Sequence, residues 1–197
     1  SKLENIKASP TLFFEFHGSE ESNKEAIKIV EELSKNNGGS NFKWAESIEE
    51  RNKLWKARHD VYYSVKALGQ NMKVYSTDIC VPVSKLVECI SWAEKEVKDK
   101  GLIAPMVGHV GDGNFHSIIL YDPNDKEKQK LIRDYSDRLI DKALELEGTI
   151  TGEHGIGLQK KHYLLKEHFD NLPVMKSIKR SLDPNNIMNP GKVFDLN

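Results

Sequence analysis

The sequence predicts an α+β fold, a largely antiparallel sheet with helices packed on one face. Two observations carry that expectation. Strand-like and helix-like stretches alternate along the chain, which by itself permits a parallel sheet. At the centre, Gly108-His109-Val110-Gly111-Asp112-Gly113-Asn114-Phe115-His116 has two β-compatible arms around a Gly-Asp-Gly-Asn tip. That is the composition of a tight turn, and a hairpin makes the middle of the sheet antiparallel.

The elements follow in order. Thr11 to His17 is aromatic-rich and reads as a strand. Ser22 to Asn36 reads as an amphipathic helix with Ala26, Ile27, Ile29, Val30 and Leu33 on one face, stopped by Gly38-Gly39. Asn41 to Glu46 reads as a short strand. Ser47-Ile48-Glu49-Glu50 is a capping-box start for a helix to Leu68. Lys73 to Val83 is the next strand, and Ser84 caps a helix through Lys98 that stops at Gly101. Leu102 to Tyr121 holds the two hairpin strands. Asp125 to Glu147 is a long helix with Leu131, Ile132, Tyr135, Leu139, Ile140 and Leu144 inward, stopped by Gly148. Thr149-Ile150-Thr151 is a short strand. The remainder is helical to Asp183-Pro184, then a tail with the turn Asn189-Pro190-Gly191.

The hairpin carries chemistry. With Gly111 to Asn114 as the loop, His109 pairs with His116, and directly opposed residues have Cβ atoms roughly 5 Å apart. Two imidazoles so placed can share a metal ion. In Gly152-Glu153-His154-Gly155-Ile156-Gly157, Glu153 can give a third ligand, leaving His154 as an acid/base. A metal with an open position is a catalytic one; a closed shell would only brace the fold. A single histidine beside a glycine-rich turn is ordinarily a hydrogen-bonding loop residue; two at this spacing with a Glu-His pair point to a metal.

Composition narrows the partners. A net charge of -1 over 197 residues gives no reason to expect nucleic acid or an anionic membrane surface. No apolar run approaches the roughly 18 residues of a membrane span, and Ser1 to Asn5 lacks a charged-then-apolar targeting pattern. The two cysteines, Cys80 and Cys89, make no disulfide framework and no metal spacing, and read as small buried residues. Gly111-Asp112-Gly113 lacks the further glycine and following helix of a dinucleotide loop.

Gly108 to His116, Gly152 to Gly157 and Asn189-Pro190-Gly191-Lys192 together resemble the C-terminal domain of the FAD-linked oxidases, the family of D-lactate dehydrogenase, glycolate oxidase and D-2-hydroxyglutarate dehydrogenase. The resemblance covers nearly the whole chain, 1–197. It implies FAD, held mainly by a further domain, and a chain that by itself has no dehydrogenase activity. It implies a catalytic metal on His109, His116 and Glu153, zinc first, manganese or iron as alternatives. It also implies His154 as general base, substrate-carboxylate contacts at Arg58 and Lys73, and cofactor contacts at Asn189 and Lys192. Tyr62, one turn after Arg58, shares its helix face and is a candidate substrate contact or a core residue. Asp78, mid-strand, is either a partner for a basic group or a partly buried acid.

The expected reaction is oxidation of a D-2-hydroxy acid. Ile118 lies two residues after His116 and shares its face. Relatives acting on D-2-hydroxyglutarate carry Asn there, so the isoleucine favours D-lactate. The motifs do not encode the electron acceptor: cytochrome c, a quinone and an electron-transfer flavoprotein all suit the family. The implied location is mitochondrial in a eukaryote, otherwise cytoplasmic or peripheral to the inner membrane. The alternatives are the same chemistry on glycolate or D-2-hydroxyglutarate, or a non-catalytic metal-binding interaction domain.

Overall fold

The computed structural model describes residues 9–45, 47–69 and 71–196; Ser1 to Asn5, read above for targeting, and Glu46 lie outside them. The chain divides into two compact units, Ser1–Ser64 and Val65–Asn197.

The first unit is helical. Helix α1 (Glu20–Asn36) begins at Ser19, whose hydroxyl accepts from the Ser22 N–H at 3.2 Å. Helix α2 (Ile48–His59) has the expected capping box, with Ser47 and Glu50 each accepting from the other's backbone N–H. The helix expected to run to Leu68 is interrupted at Asp60, and α3 (Val61–Lys66) follows. Among the described residues, Thr11 to His17 and residues 41–45, expected as strands, pair with no other strand. Aromatic content favours a strand, but only a ladder partner satisfies its backbone.

The second unit holds the sheet, and every pairing in it is antiparallel. Its strands are β1 (Lys73–Ser76), β2 (Ile79–Cys80), β3 (Met106–His109) and β4 (Asn114–Tyr121). Strand β4 is central. On one edge it pairs first with β2 and then with β1; on the other it pairs with β3. Thr149 bridges Cys80 on the outer side of β2. Helices α4 (Val83–Asp99) and α5 (Lys126–Glu145) supply the core, followed by α6 (Lys161–His168) and α7 (Leu172–Leu182). Phe115 and Ile119 of β4 are buried with Tyr135 and Leu139 of α5 and Cys89 and Ala93 of α4. Each such large apolar side chain contributes about 1.5–3 kcal/mol. Polar groups inside are matched: Ser117 Oγ and Tyr135 Oη lie 2.7 Å apart, Tyr75 Oη and Ser136 Oγ 2.9 Å.

Four local expectations are corrected. Leu131 is exposed, not inward. Helix α4 starts at Val83, one residue before the expected Ser84 cap and with no side-chain cap. The left-handed residue ending α5 is Glu147 (φ 60°), not Gly148. The hairpin register also differs. His109 opposes Asn114, and Val107 opposes His116. Residues 110–112 form a 3₁₀ turn closed by Gly113 (φ 78°), where a Cβ would fall 1.9 Å from the Val81 carbonyl oxygen. That close approach sets the loop at 110–113, one position earlier than the expected 111–114 and of the same length. The two-residue shift preserves side-chain direction, because the pleat has period two. His109 and His116 therefore still share a face, as diagonal rather than direct neighbours.

Candidate active site

Strand β4 is the frame. Asn114, His116, Ile118 and Leu120 alternate onto one face, opposite that of Phe115, Ser117 and Ile119. Strands β1 and β2 keep one offset along it, Ser76 opposite Ile118 and Ile79 opposite Phe115, so Asp78 falls opposite His116. The Thr149–Cys80 bridge then delivers the Gly152-Glu153-His154 loop beside Asp78.

His116 is 8% exposed and its ring is pinned. Nδ1 lies 2.8 Å from the Thr77 carbonyl oxygen. A carbonyl only accepts, so Nδ1 carries the proton. Nε2 faces Glu153 Oε1 at 2.9 Å. Two lone pairs at that distance repel unless a proton or a cation lies between them. His109 Nε2 lies 3.9 Å from Glu153 Oε2, and His154 Nε2 lies 3.5 Å from Oε1. The His116 and His154 rings stand edge to face, with centroids 5.4 Å apart. Three imidazoles thus converge on one carboxylate.

Each imidazole–carboxylate approach is close to the ligand spacing of a divalent ion. Bonds of about 2.0–2.1 Å in a tetrahedron separate neighbouring ligand atoms by about 3.3 Å. His116 Nε2 to Glu153 Oε1, at 2.9 Å, and His109 Nε2 to Glu153 Oε2, at 3.9 Å, lie on either side of that value, each to its own carboxylate oxygen. Among the described residues, the set whose donor atoms all lie within 4.8 Å of one another is Asp78, His116 and His154. Its carboxylate, however, is spoken for. The Asp78 carboxylate accepts from Asn114 Nδ2 (3.0 Å), Thr151 Oγ1 (2.8 Å), Lys160 Nζ (3.1 Å) and the backbone N–H groups of Gly152, Glu153 and His154 (3.1, 3.2 and 3.1 Å). A carboxylate offers about four lone-pair sites. Burial alone would raise the Asp78 pKa; the bonds from Thr151 and the His154 N–H, with the Lys160 charge, outweigh it and hold it far below the usual carboxylate range. Burial pushes the Lys160 ammonium down, against the pull of Asp78. At the hairpin tip, the Cys80 thiol, raised by burial, donates to the Asp112 carbonyl at 3.1 Å.

The family model for "FAD linked oxidases, C-terminal domain" matches residues 2–193. The chain belongs to the FAD-linked oxidases. Among relatives of this family member, the "Probable D-lactate dehydrogenase, mitochondrial" of Danio rerio is 50% identical over 190 residues, 95% of this chain and 38% of the relative. The "D-lactate dehydrogenase [cytochrome], mitochondrial" of Arabidopsis thaliana is 40% identical, covering 96% of this chain and 34% of the relative. The glycolate oxidase subunit GlcD of Bacillus subtilis is 30% identical, covering 95% and 40%. The chain thus spans roughly 34–40% of the length of these relatives. A solved 4-ethylphenol oxidase from Gulosibacter chungangensis, in its isoeugenol complex, matches 90% of this chain and 38% of its own, with a TM-score of 0.62 at 18% identity. That likeness bears on fold alone.

Of the site residues expected from sequence, the FAD-linked oxidase chain brings His109, His116, Glu153 and His154 together. Ile118 lies on the His116 face but is 3% exposed. Lys73 is not brought to the cluster. It opposes Tyr121, roughly 17 Å along β4 from His116 by strand rise, and on the other face. Asn189 and Lys192 line a surface depression with Lys179, Asn186 and Phe194. The Val193 N–H ties this tail to the Gly157 carbonyl at 2.8 Å. Arg58 (on α2) and Tyr62 (on α3, edge to face with Tyr63 at 5.6 Å) belong to the first unit. Sequence reasoning missed Lys160, Asn114, Thr151 and Thr77. A carboxylate in the middle of a strand was the one available signal, and it led only as far as Asp78.

Proposed function

We propose that the chain is the metal- and substrate-binding part of an FAD-dependent dehydrogenase that oxidises a D-2-hydroxy acid, D-lactate before others, to the 2-oxo acid. The convergence of His109, His116 and His154 on the Glu153 carboxylate carries this reading. The name of the 50%-identical zebrafish relative supports the choice of D-lactate. A divalent cation held by His109, His116 and Glu153, zinc first and manganese or iron as alternatives, supplies the Lewis acidity that makes a hydroxyl easier to deprotonate. FAD supplies the two-electron acceptor.

The chain's own residues do the rest. Thr77 fixes the His116 ring through Nδ1 and leaves Nε2 for the ion. His154 is the base. Its imidazole is 67% exposed, so a substrate reaches it, yet Nε2 stays 3.5 Å from the Glu153 carboxylate. It takes the hydroxyl proton at Nε2, while the substrate's α-carbon loses a hydride and becomes the carbonyl carbon. Ile118 shares the face of His116, and an apolar residue there favours a short aliphatic tail over a second carboxylate. The Arabidopsis relative's name specifies a cytochrome, which supports cytochrome c as the final acceptor, with a quinone as the alternative. The relatives' names also support a mitochondrial location in a eukaryote.

His154→Asn and Glu153→Gln separate the roles in the flavin-loaded enzyme. His154→Asn lowers kcat by roughly 10²–10⁴-fold with metal content unchanged. Glu153→Gln releases metal. Metal loss in the first variant with retention in the second would reverse the assignment.

A further inference from the structure

We propose that Asp78 is a positioning residue that presets the Glu153–His154 loop for the cation, with Lys160 as its counter-ion. The inference rests on the reading that His109, His116 and Glu153 hold the metal. Asp78 is 4% exposed and touches both halves of the site. By register it stands opposite His116, with Oδ1 3.8 Å from that ring's Nδ1. It also gathers three consecutive backbone N–H groups, those of Gly152, Glu153 and His154. Successive N–H groups turned toward one point form an anion-binding nest, and here the anion is a side chain of the protein itself. The Thr151 hydroxyl closes the same nest from the preceding residue.

The consequence is geometric. Two imidazole ligands ride on the hairpin, while the carboxylate ligand and the base ride on an exposed loop. Without a fixed link, the loop would have to be ordered each time the ion bound. Asp78 makes that link from inside the sheet, so the ordering is done on folding. Lys160 Nζ bonds both the Asp78 side chain (3.1 Å) and its carbonyl (2.7 Å), so the buried charge is balanced. With the Asp78 oxygens taken up by these donors, Glu153 is left as the carboxylate that faces His109, His116 and His154. Asn114 Nδ2 bonds Asp78 Oδ1 and the Ile79 carbonyl, holding the Asp78 side chain against β4.

The test is zinc affinity, by competition with a chromophoric chelator, on the metal-stripped chain and its Asp78→Asn and Thr151→Val variants, with circular dichroism and Tm beside it. Asp78→Asn weakens zinc by roughly 10–100-fold with the far-ultraviolet spectrum retained. Thr151→Val, which leaves every carboxylate and imidazole in place, weakens it severalfold. The Thr151 variant separates positioning from ligation, because an Asp78 that bound the ion directly would still be there. It also decides the matter if Asp78→Asn does not fold. Affinity within twofold of the unmodified chain in a folded Asp78→Asn, or in Thr151→Val, overturns the proposal while leaving the metal site standing. Failure of the unmodified chain to bind zinc overturns the metal site and this inference together.

Discussion

Gly152→Ala should disable the site without touching a ligand. A Cβ built on Gly152 falls 1.8 Å from Asn114 Nδ2 and 2.8 Å from Asp78 Oδ1. Both neighbours are buried, at 4% exposure each, and bonded to each other, so neither swings away. Ordinary contact begins near 3.4 Å, so the loop must retreat by about 1.6 Å. The N–H bonds of Gly152, Glu153 and His154 to Asp78, now 3.1–3.2 Å, then stretch past hydrogen-bonding range. Hydrogen bonds to a charged group contribute about 1.5–3 kcal/mol each, and the exposed loop recovers part of that from water, for a net loss of about 2–4 kcal/mol. In a chain this size that lowers Tm by roughly 5–10 °C. A displacement of an ångström or more at Glu153 and His154 also costs about 10²-fold in kcat. Gly111→Ala is the control in the neighbouring loop: its Cβ meets nothing within 4 Å, so stability holds or rises slightly. Calorimetry and steady-state kinetics of the flavin-loaded enzyme check both. Equal Tm and kcat in the two variants would refute the close-approach argument.

Three further outcomes are expected. His116→Ala or His109→Ala strips metal and lowers activity by orders of magnitude with flavin absorbance unchanged, and full metal retention in both would rule out the hairpin ligands. Asp183 is held below the usual carboxylate range chiefly by its bond from Lys179, opposed by burial and helped by the N–H groups of Met188 and Ile187. A depressed carboxylate stabilises above its unfolded pKa of about 3.9 and loses that contribution as pH falls. The Tm gap between the unmodified chain and Asp183→Asn therefore shrinks from pH 6 to pH 3, and a constant gap would contradict this. Ile118→Asn raises kcat/KM for D-2-hydroxyglutarate relative to D-lactate by roughly tenfold or more, because it offers the second carboxylate a partner that isoleucine cannot; an unchanged ratio would remove Ile118 from substrate choice.

The sequence by itself determined the fold class, the amphipathic helices α1, α4 and α5, the capping box at Ser47, and the residues of the histidine cluster. Those depend on periodicity and turn chemistry, which are local. It placed strands at Thr11–His17 and residues 41–46 because aromatic and β-branched content is local too, whereas a ladder partner is not. It paired His109 with His116, and the real register differs by two, because the close packing of Gly113 on the Val81 carbonyl involves residues 32 positions apart. The shared face survived that error through the two-residue pleat. Only the tertiary structure decided what Asp78 does. Its partners at Asn114, Thr151, Gly152, Glu153, His154 and Lys160 lie 36 to 82 positions away, and three of those donors are backbone N–H groups that no side-chain pattern reveals. Lys73 shows the converse. As a basic residue opening a strand it looked suited to a carboxylate, but register sent it to the far end and the opposite face of β4. Which residues can do chemistry is written in their types and spacing; which of them meet is set by strand offset and by where buried charge finds its hydrogen bonds.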